Sequence, residues 1–241
     1  LTDPDGAGVW AVIPAAGRGT RMGASLPKQY LPVLGRPIMA HAIDRLCAAP
    51  EVRGVVVALA AGDLHYAALE LACPERVVTV TGGEERCHSV RNALRFLAGR
   101  QPPDTWVLVH DAARPCVRPA EVSRLIAAAR SDGVGAILAL PARDTMKLGD
   151  DDLRIVRTVE RRGLWHALTP QLFRLGALLA ALEEAIAAGR VVTDEAQAME
   201  LAGARPLLVA GSPDNIKVTE PLDQSMAEHY LRIQLAEARC A

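Results

Sequence analysis

A chain of 241 residues that is 50% hydrophobic but only 3% aromatic has to build its core from Ala, Val, Leu and Ile. That composition suits buried parallel strands covered by Ala-rich helices. A formal net charge of −1 excludes a general nucleic-acid or membrane binder, because both need a basic excess.

Charge type says more than charge balance. The 27 basic residues are 24 Arg and three Lys: Lys28, Lys147 and Lys217. A compact ammonium does what a planar guanidinium does not, so each lysine is a candidate site residue. Five cysteines, an odd number without C-x-x-C spacing, predict reduced thiols in a cytoplasmic protein, with neither a zinc site nor a disulfide framework. The longest apolar stretch, Leu175 to Ala188, is broken by Glu183 and Glu184 and is too short to span a bilayer.

In chain order, residues 1–8 read as a frayed tail. Val9–Ile13 reads as the first buried strand, a short aliphatic run ending at Pro14. Directly after it come Ala15, Ala16, Gly17, Arg18, Gly19, Thr20, Arg21 and Met22, and then Pro27-Lys28. Small residues let backbone N–H groups approach an anion, and Arg21 and Lys28 add two cations, so the loop is a candidate cradle for a triphosphate. It is not a Walker A loop, since no Gly-Lys-Ser/Thr follows. As a dinucleotide fingerprint it fails too: Met22 stands where the third glycine belongs, and the second strand ends without a ribose-binding acid.

Helices are predicted over Ile38–Cys47, Leu64–Leu71, Ser89–Leu97 and Ala120–Arg130, with strands at Val55–Leu59, Val77–Val80, Trp106–Val109 and Ala136–Leu140. This alternation predicts a doubly wound, mostly parallel, Rossmann-like sheet. Two strand ends carry further candidates. Gly82-Gly83-Glu84, with Ser89 beyond, opens a helix whose free N–H groups suit a nucleobase edge. The run His110-Asp111-Ala112-Ala113-Arg114 follows a buried strand at the carboxyl edge, where α/β sheets bind ligands. There Asp111 suits Mg²⁺ and Arg114 suits an acceptor phosphate, while His110 reads as a packed edge residue.

From residue 142 to 162 the alternation breaks. Thr145–Leu148 and Ile155–Val159 flank a Gly-Asp-Asp-Asp turn, a hairpin signal with no core of its own nearby. Isolated hairpins are marginal in water, which predicts an arm that packs on a second subunit. A long helix at Leu172–Ala188, another at Asp194–Ala202, short strands at Leu207–Val209 and Ile216–Val218, and a terminal helix from Pro221 complete one expected domain, residues 1–241. Lys217 falls near the expected cleft.

Together these segments resemble the 2-C-methyl-D-erythritol 4-phosphate cytidylyltransferase family of the non-mevalonate isoprenoid pathway, over about Val9 to Tyr230. The Gly17 loop with Pro27-Lys28 marks nucleotidyltransferases broadly. Residues 109–115, Arg143-Asp144-Thr145, Trp165 to Gln171 and Asn215 to Thr219 are narrower marks. The resemblance implies transfer of a cytidylyl group from CTP to a polyol phosphate, Mg²⁺ dependence and a homodimer joined through the arm. It implies that Arg21, Lys28 and Lys217 stabilise charge in the transition state, and that Asp111 sits at the metal and sugar. Pro14, Ala15, Ala16, Gly17, Gly19, Gly83, Ser89 and Ala112 would bind the nucleotide, with Glu84 where a shorter Asp often stands. Arg114, Thr169 and Thr193 would contact the acceptor, joined by Thr145 and Arg161 from the partner's arm. Competing expectations are a ribitol 5-phosphate acceptor, an NAD-dependent dehydrogenase and a catalytically silent nucleotide binder.

Overall fold

The computed structural model describes residues 8–17 and 26–240. Strand β1 (Val9–Ala15) is buried over almost its whole length, as a continuous aliphatic run demands. On one side it pairs in parallel with β4 (Val52–Leu59), which pairs in parallel with β5 (Val77–Thr81). On the other it pairs in parallel with β6 (Trp106–Val109). Beyond β6 lie β10 (Trp165–Arg174), β7 (Gly135–Pro141) and β11 (Leu207–Ala210), giving the order β11-β7-β10-β6-β1-β4-β5. Only β10 runs antiparallel, against both β6 and β7. The expected mostly parallel α/β sheet is present.

Side chains alternate across this sheet between two apolar layers. Val9, Ala11, Ile13, Val55, Val57 and Leu108 pack with α1 (Ile38–Cys47) and α3 (Pro119–Asp132), through Met39, Ile43, Leu125 and Ile126. Trp10, Val12, Val56, Val107 and Val109 pack with α2 (Arg86–Ala98), α4 (Leu175–Ala187) and α5 (Glu195–Leu201). Burying both faces is worth roughly 25 cal/mol per Å² of apolar surface and accounts for the uninterrupted aliphatic runs. The terminal helix α6 (Pro221–Cys240) forms a third apolar cluster, Ala227 and Leu231 against Val33, Ile38, Cys116 and Val218.

A small ribbon joins the strand β2 (Pro32–Val33) to β3 (Arg36–Pro37). The arm is a separate two-stranded sheet, β8 (Met146–Gly149) against β9 (Ile155–Val159), with Lys147 opposite Thr158. Asp150 Oδ1 shapes its tip by accepting from the N–H groups of Asp152 (3.1 Å) and Arg154 (2.8 Å). Leu153, Ile155 and Val156 are exposed on it.

Four expectations need correction. Leu64–Leu71 is not an α-helix but a single 3-10 turn at Tyr66–Ala68. There Asp63 Oδ1 takes the N–H groups of His65 and Tyr66, which competes with helix formation. The helix expected from Leu172 starts only at Leu175, because Trp165–Arg174 forms β10, with a cis Thr169–Pro170 peptide and a register shift between Ala167 and Gln171. Ile216–Val218 forms no strand, and its backbone is held instead by the Val218 N–H donating to Ala113 O (2.8 Å). Cys47 and Cys73, expected as reduced thiols, are joined in a disulfide with Cα atoms 6.8 Å apart. Twenty-six residues separate them, and the fold alone brings the end of α1 against the loop before β5. Cys87 and Cys116 are free and buried.

Candidate active site

From β1 the chain runs outward to β4 and β5 and then crosses back through α2 to β6 on the other side of β1, so the sheet has its switch point between β1 and β6. Ligands bind outside the carboxyl ends of strands at such points. A cleft of about 610 Å³ opens there. Pro14, Ala15, Ala16 and Gly17 from the end of β1, then Lys28, line one part of it. Gly83, Glu84, Arg86 and Ser89 at the start of α2 line another, and Asp111, Ala112, Lys217 and Thr219 complete it.

The small residues are a steric requirement. A Cβ on Gly82 would come 2.6 Å from Ala16 Cβ and 2.8 Å from Ser89 Oγ, and one on Gly83 would come 2.5 Å from His88 Cβ. The missing side chain at Gly82 therefore lets the Ala16 loop pack directly against this one. Ser89 Oγ accepts from the Gly83 N–H (3.0 Å), pinning that loop to its helix. Gln29, buried beside Lys28, does the same for the first loop by donating to the carbonyls of Ala15 (2.8 Å) and Gly17 (3.2 Å).

Asp111 is the electrostatic centre. Its Oδ1 lies 3.0 Å from Arg86 Nε, and its Oδ2 lies 2.9 Å from Lys217 Nζ and 3.7 Å from Arg114 Nε. Burial alone would raise this carboxyl, but Arg86, Lys217 and Arg114 override it and hold Asp111 far below the usual carboxylate range. It stays ionised at any working pH.

Beneath it runs a chain of hydrogen bonds whose directions are fixed by chemistry. The Arg114 carbonyl only accepts, so His110 Nε2 donates to it (3.0 Å). His110 Nδ1 then accepts from the Thr169 hydroxyl (3.1 Å), whose oxygen accepts from the Asp111 N–H (3.1 Å). His110 is completely buried, and burial pushes its imidazole down to about 4. It is a neutral strut, not a base.

Lys217 is positioned by its neighbours. Asn215 Nδ2 donates to Thr169 O (2.8 Å), and Arg114 Nη1 donates to Asn215 O (2.7 Å). The Thr219 N–H and hydroxyl both donate to Asp223 Oδ2 (2.8 Å each). These bonds fix the segment that carries the lysine into the cleft.

Of the site residues expected from sequence, the cleft gathers Pro14, Ala15, Ala16, Gly17, Lys28, Gly83, Glu84, Ser89, Asp111, Ala112 and Lys217. Gly19 and Arg21 lie outside the described residues. Arg114 and Thr169 are buried behind the cleft wall, bonded to the Asp111 surroundings. Thr193 is exposed just before α5, its N–H and hydroxyl donating to Gln197 Oε1 (2.7 and 3.2 Å). Thr145 and Arg161 are exposed on the arm and do not line the cleft of their own chain. Lys147 is also on the arm, donating to Thr158 Oγ1 (2.6 Å). Sequence reasoning missed Arg86, Glu195, Gln29 and Thr219 as site components. The only signal for Arg86 is its place as the first residue of a helix that follows a Gly-Gly turn.

A family model described as 2-C-methyl-D-erythritol 4-phosphate cytidylyltransferase matches residues 9–233. The chain belongs to that family. It is a nucleotidyltransferase of isoprenoid biosynthesis with the cytidylyltransferase activity of the family. The cytidylyltransferase of this name from Vibrio atlanticus is 52% identical over 223 residues, 92% of this chain and 95% of the relative. The one from Vibrio cholerae is 49% identical over 221 residues, again 92% and 95%. Among solved structures, that of the Francisella tularensis cytidylyltransferase superposes with a TM-score of 0.79 at 35% identity, covering 92% of this chain and 99% of that one. A crystal structure of 4-diphosphocytidyl-2C-methyl-D-erythritol synthase gives 0.81 at 35% identity, covering 93% and 99%. Among the described residues, no helix is long and apolar enough to cross a membrane.

Proposed function

We propose that the cleft binds CTP and that a phosphate oxygen of 2-C-methyl-D-erythritol 4-phosphate attacks its α-phosphorus. A new P–O bond forms to the acceptor phosphate, the bond to the β-phosphate oxygen breaks, and pyrophosphate leaves with the electron pair. The product is 4-diphosphocytidyl-2-C-methyl-D-erythritol. The observation that carries this reading is the shared cleft of Lys28 and Lys217, two of the three lysines, with strand ends too small to hold a backbone away from phosphate.

The attacking dianion already carries its charge, so the reaction requires no general base. That agrees with a site whose one histidine at the centre is buried and bonded on both nitrogens. Catalysis then rests on orientation and on cations placed where charge develops. Lys28 and Lys217, with Arg21, stabilise the triphosphate and the transition state. Gly17 and Gly19 give backbone room for the phosphates, Pro14, Ala15, Ala16, Gly83, Glu84, Ser89 and Ala112 hold base and ribose, and Arg114, Thr169 and Thr193 shape the acceptor side.

Magnesium fits the donor set. Asp111 is an ionised hard oxygen ligand on the cleft wall, and Mg²⁺ is usually held by one or two carboxylates plus substrate phosphates and water. Among the described residues no group of three His, Cys, Asp or Glu side chains gathers, so Asp111 would be the protein's anchor for the ion. When bound, Mg²⁺ supplies neutralisation of phosphate charge.

The whole chain works in this reading as one nucleotidyltransferase domain in the cytoplasm, with residues 142–162 as a dimerisation arm. The arm's separation from the main sheet and its exposed Leu153, Ile155 and Val156 support that role. Thr145 and Arg161 then reach the partner's acceptor site. The reaction is tested by pyrophosphate release with CTP and Mg²⁺. Release is expected with 2-C-methyl-D-erythritol 4-phosphate and not without acceptor. Release with ribitol 5-phosphate alone would move the acceptor, and no release with either would overturn the reading.

A further inference from the structure

Among the described residues, Arg86 is the one guanidinium in the cleft wall that holds two carboxylates at once. Its Nε donates to Asp111 Oδ1 (3.0 Å), while Nη1 and Nη2 form a fork on Glu195, 2.6 Å to Oε1 and 3.0 Å to Oε2. Asp111 follows β6, on the nucleotide side. Glu195 opens α5, two residues after Thr193, on the side assigned to the acceptor. Glu195 is 1% exposed and does not line the cleft. Burial pushes its carboxyl up and the Arg86 fork counters that, so a buried acid is kept here with a single cationic partner to justify it.

The start of α5 is tied down by a second group as well. Gln171 Oε1 accepts from the Ala196 N–H (2.8 Å), and its Nε2 donates to Asp194 Oδ2 (2.9 Å). Asp194 caps the helix by accepting from the Gln197 N–H (2.9 Å). The helix therefore has an anchor without Glu195, which leaves the Arg86–Glu195 fork with a different task. A fork gripped at its far end cannot rotate, so its Nε–H is aimed at one place, Asp111 Oδ1.

We propose that Arg86, clamped by Glu195, is a positioning residue for the cytidylyl transfer: it fixes the rotamer of Asp111 and sets the nucleotide side of the cleft against the acceptor-side helix α5. This rests on the role given above to Asp111. Lysine cannot replace it, because one ammonium does not span both carboxylates in this geometry.

The first two test variants of the intact chain avoid a stranded buried charge. Glu195→Gln keeps the shape and lies outside the cleft, and the double variant Arg86→Gln/Glu195→Gln removes both charges together. Thermal unfolding and steady-state kinetics for both substrates are measured on each. Glu195→Gln is expected to unfold cooperatively and to lose about tenfold in kcat, with KM for CTP changed less than about threefold, since an interaction that aligns reacting groups shows in kcat. The double variant is expected to lose about 100-fold, and Arg86→Lys to recover less than about a tenth of the parent rate. A purely structural role would lower only the folded fraction, leaving the rate per folded molecule unchanged, and that result overturns the proposal. So does a parental rate in Arg86→Lys. Asp111→Asn separates the layers: if it is inactive while Glu195→Gln and the double variant match the parent, Arg86 positions nothing. If Asp111→Asn is itself fully active, the role of Asp111 fails and this inference fails with it.

Discussion

At the scale of single residues, the site contrasts two lysines that face the cleft with a histidine that does not. Deleting a preorganised charge partner of a transition state costs on the order of 10²–10³ in kcat. Lys28→Ala and Lys217→Ala are each expected to lose that much in pyrophosphate release under saturating CTP, and losses below about threefold in both would remove their catalytic role. For Lys217 the neighbours make the prediction sharper, because Asn215, Thr219 and Val218 hold the backbone in place whatever the side chain is. His110 predicts a stability effect instead. Its folded-state pKa is about 4 against an ordinary 6.5, so between those values the unfolded chain binds more protons than the folded one. Stability therefore rises with pH across that window and is lost as pH falls through it, by about 3 kcal/mol in all. Asp111, with its depressed pKa, contributes stability that is complete above the ordinary carboxylate pKa and is lost only as pH falls below it, so the two windows are separable. Unfolding midpoints measured from pH 7 to pH 4.5 should fall steadily in the parent and fall less in His110→Asn. Equal slopes would show that His110 is not held neutral.

At the scale of elements, what could be read from sequence was what local chemistry determines. Parallel strands buried on both faces write unbroken apolar runs, and β1, β4, β6 and β7 sit where those runs predict; β5, half-buried at the sheet edge, sits where a β-branched run predicts. Glycine and small residues next to a strand end signal close backbone approach, and Gly82 and Gly83 meet that condition physically. Strand β10 was not legible, because its identity comes from its neighbours. It is the antiparallel partner that fills the gap between β6 and β7, and its end runs directly into Leu175 without a turn residue to mark the change. The Arg86–Glu195 fork was hidden for the same reason, since 109 residues separate its partners. Arg114 and Thr169 show the limit from the other side. The motif placed them at the site, but the fold sets both behind the wall, where Arg114 donates to Asn215 O and Thr169 accepts from the Asp111 N–H. The sequence pattern locates a functional region and does not say which of its members face the ligand.

At the scale of the whole molecule, the arm poses the remaining problem: a hairpin outside the main sheet, carrying Thr145 at its base and Arg161 at its return, with apolar side chains exposed to nothing in its own chain. An isolated hairpin gains too little from its own cross-strand pairs to justify that exposure. In the proposed two-fold dimer, by contrast, each arm would cover its apolar face and deliver two polar side chains to the other subunit's cleft. That arrangement makes a prediction about mixtures. Lys217→Ala disables the cleft of its own subunit, and Thr145→Ala/Arg161→Ala disables the arm it lends to the partner. Each variant alone should be nearly inactive. In a heterodimer of the two, the cleft of the arm variant keeps its lysine and receives an intact arm, so one site of two is whole. With random exchange half the dimers are mixed, and activity should recover to about one quarter of the parent. Subunit exchange is followed by native mass spectrometry of differently tagged chains while pyrophosphate release is measured. Recovery that tracks the heterodimer peak places the two arm residues in the partner's site. Full exchange without recovery would confine each cleft to one chain, and the exposed arm would then need another explanation than catalysis.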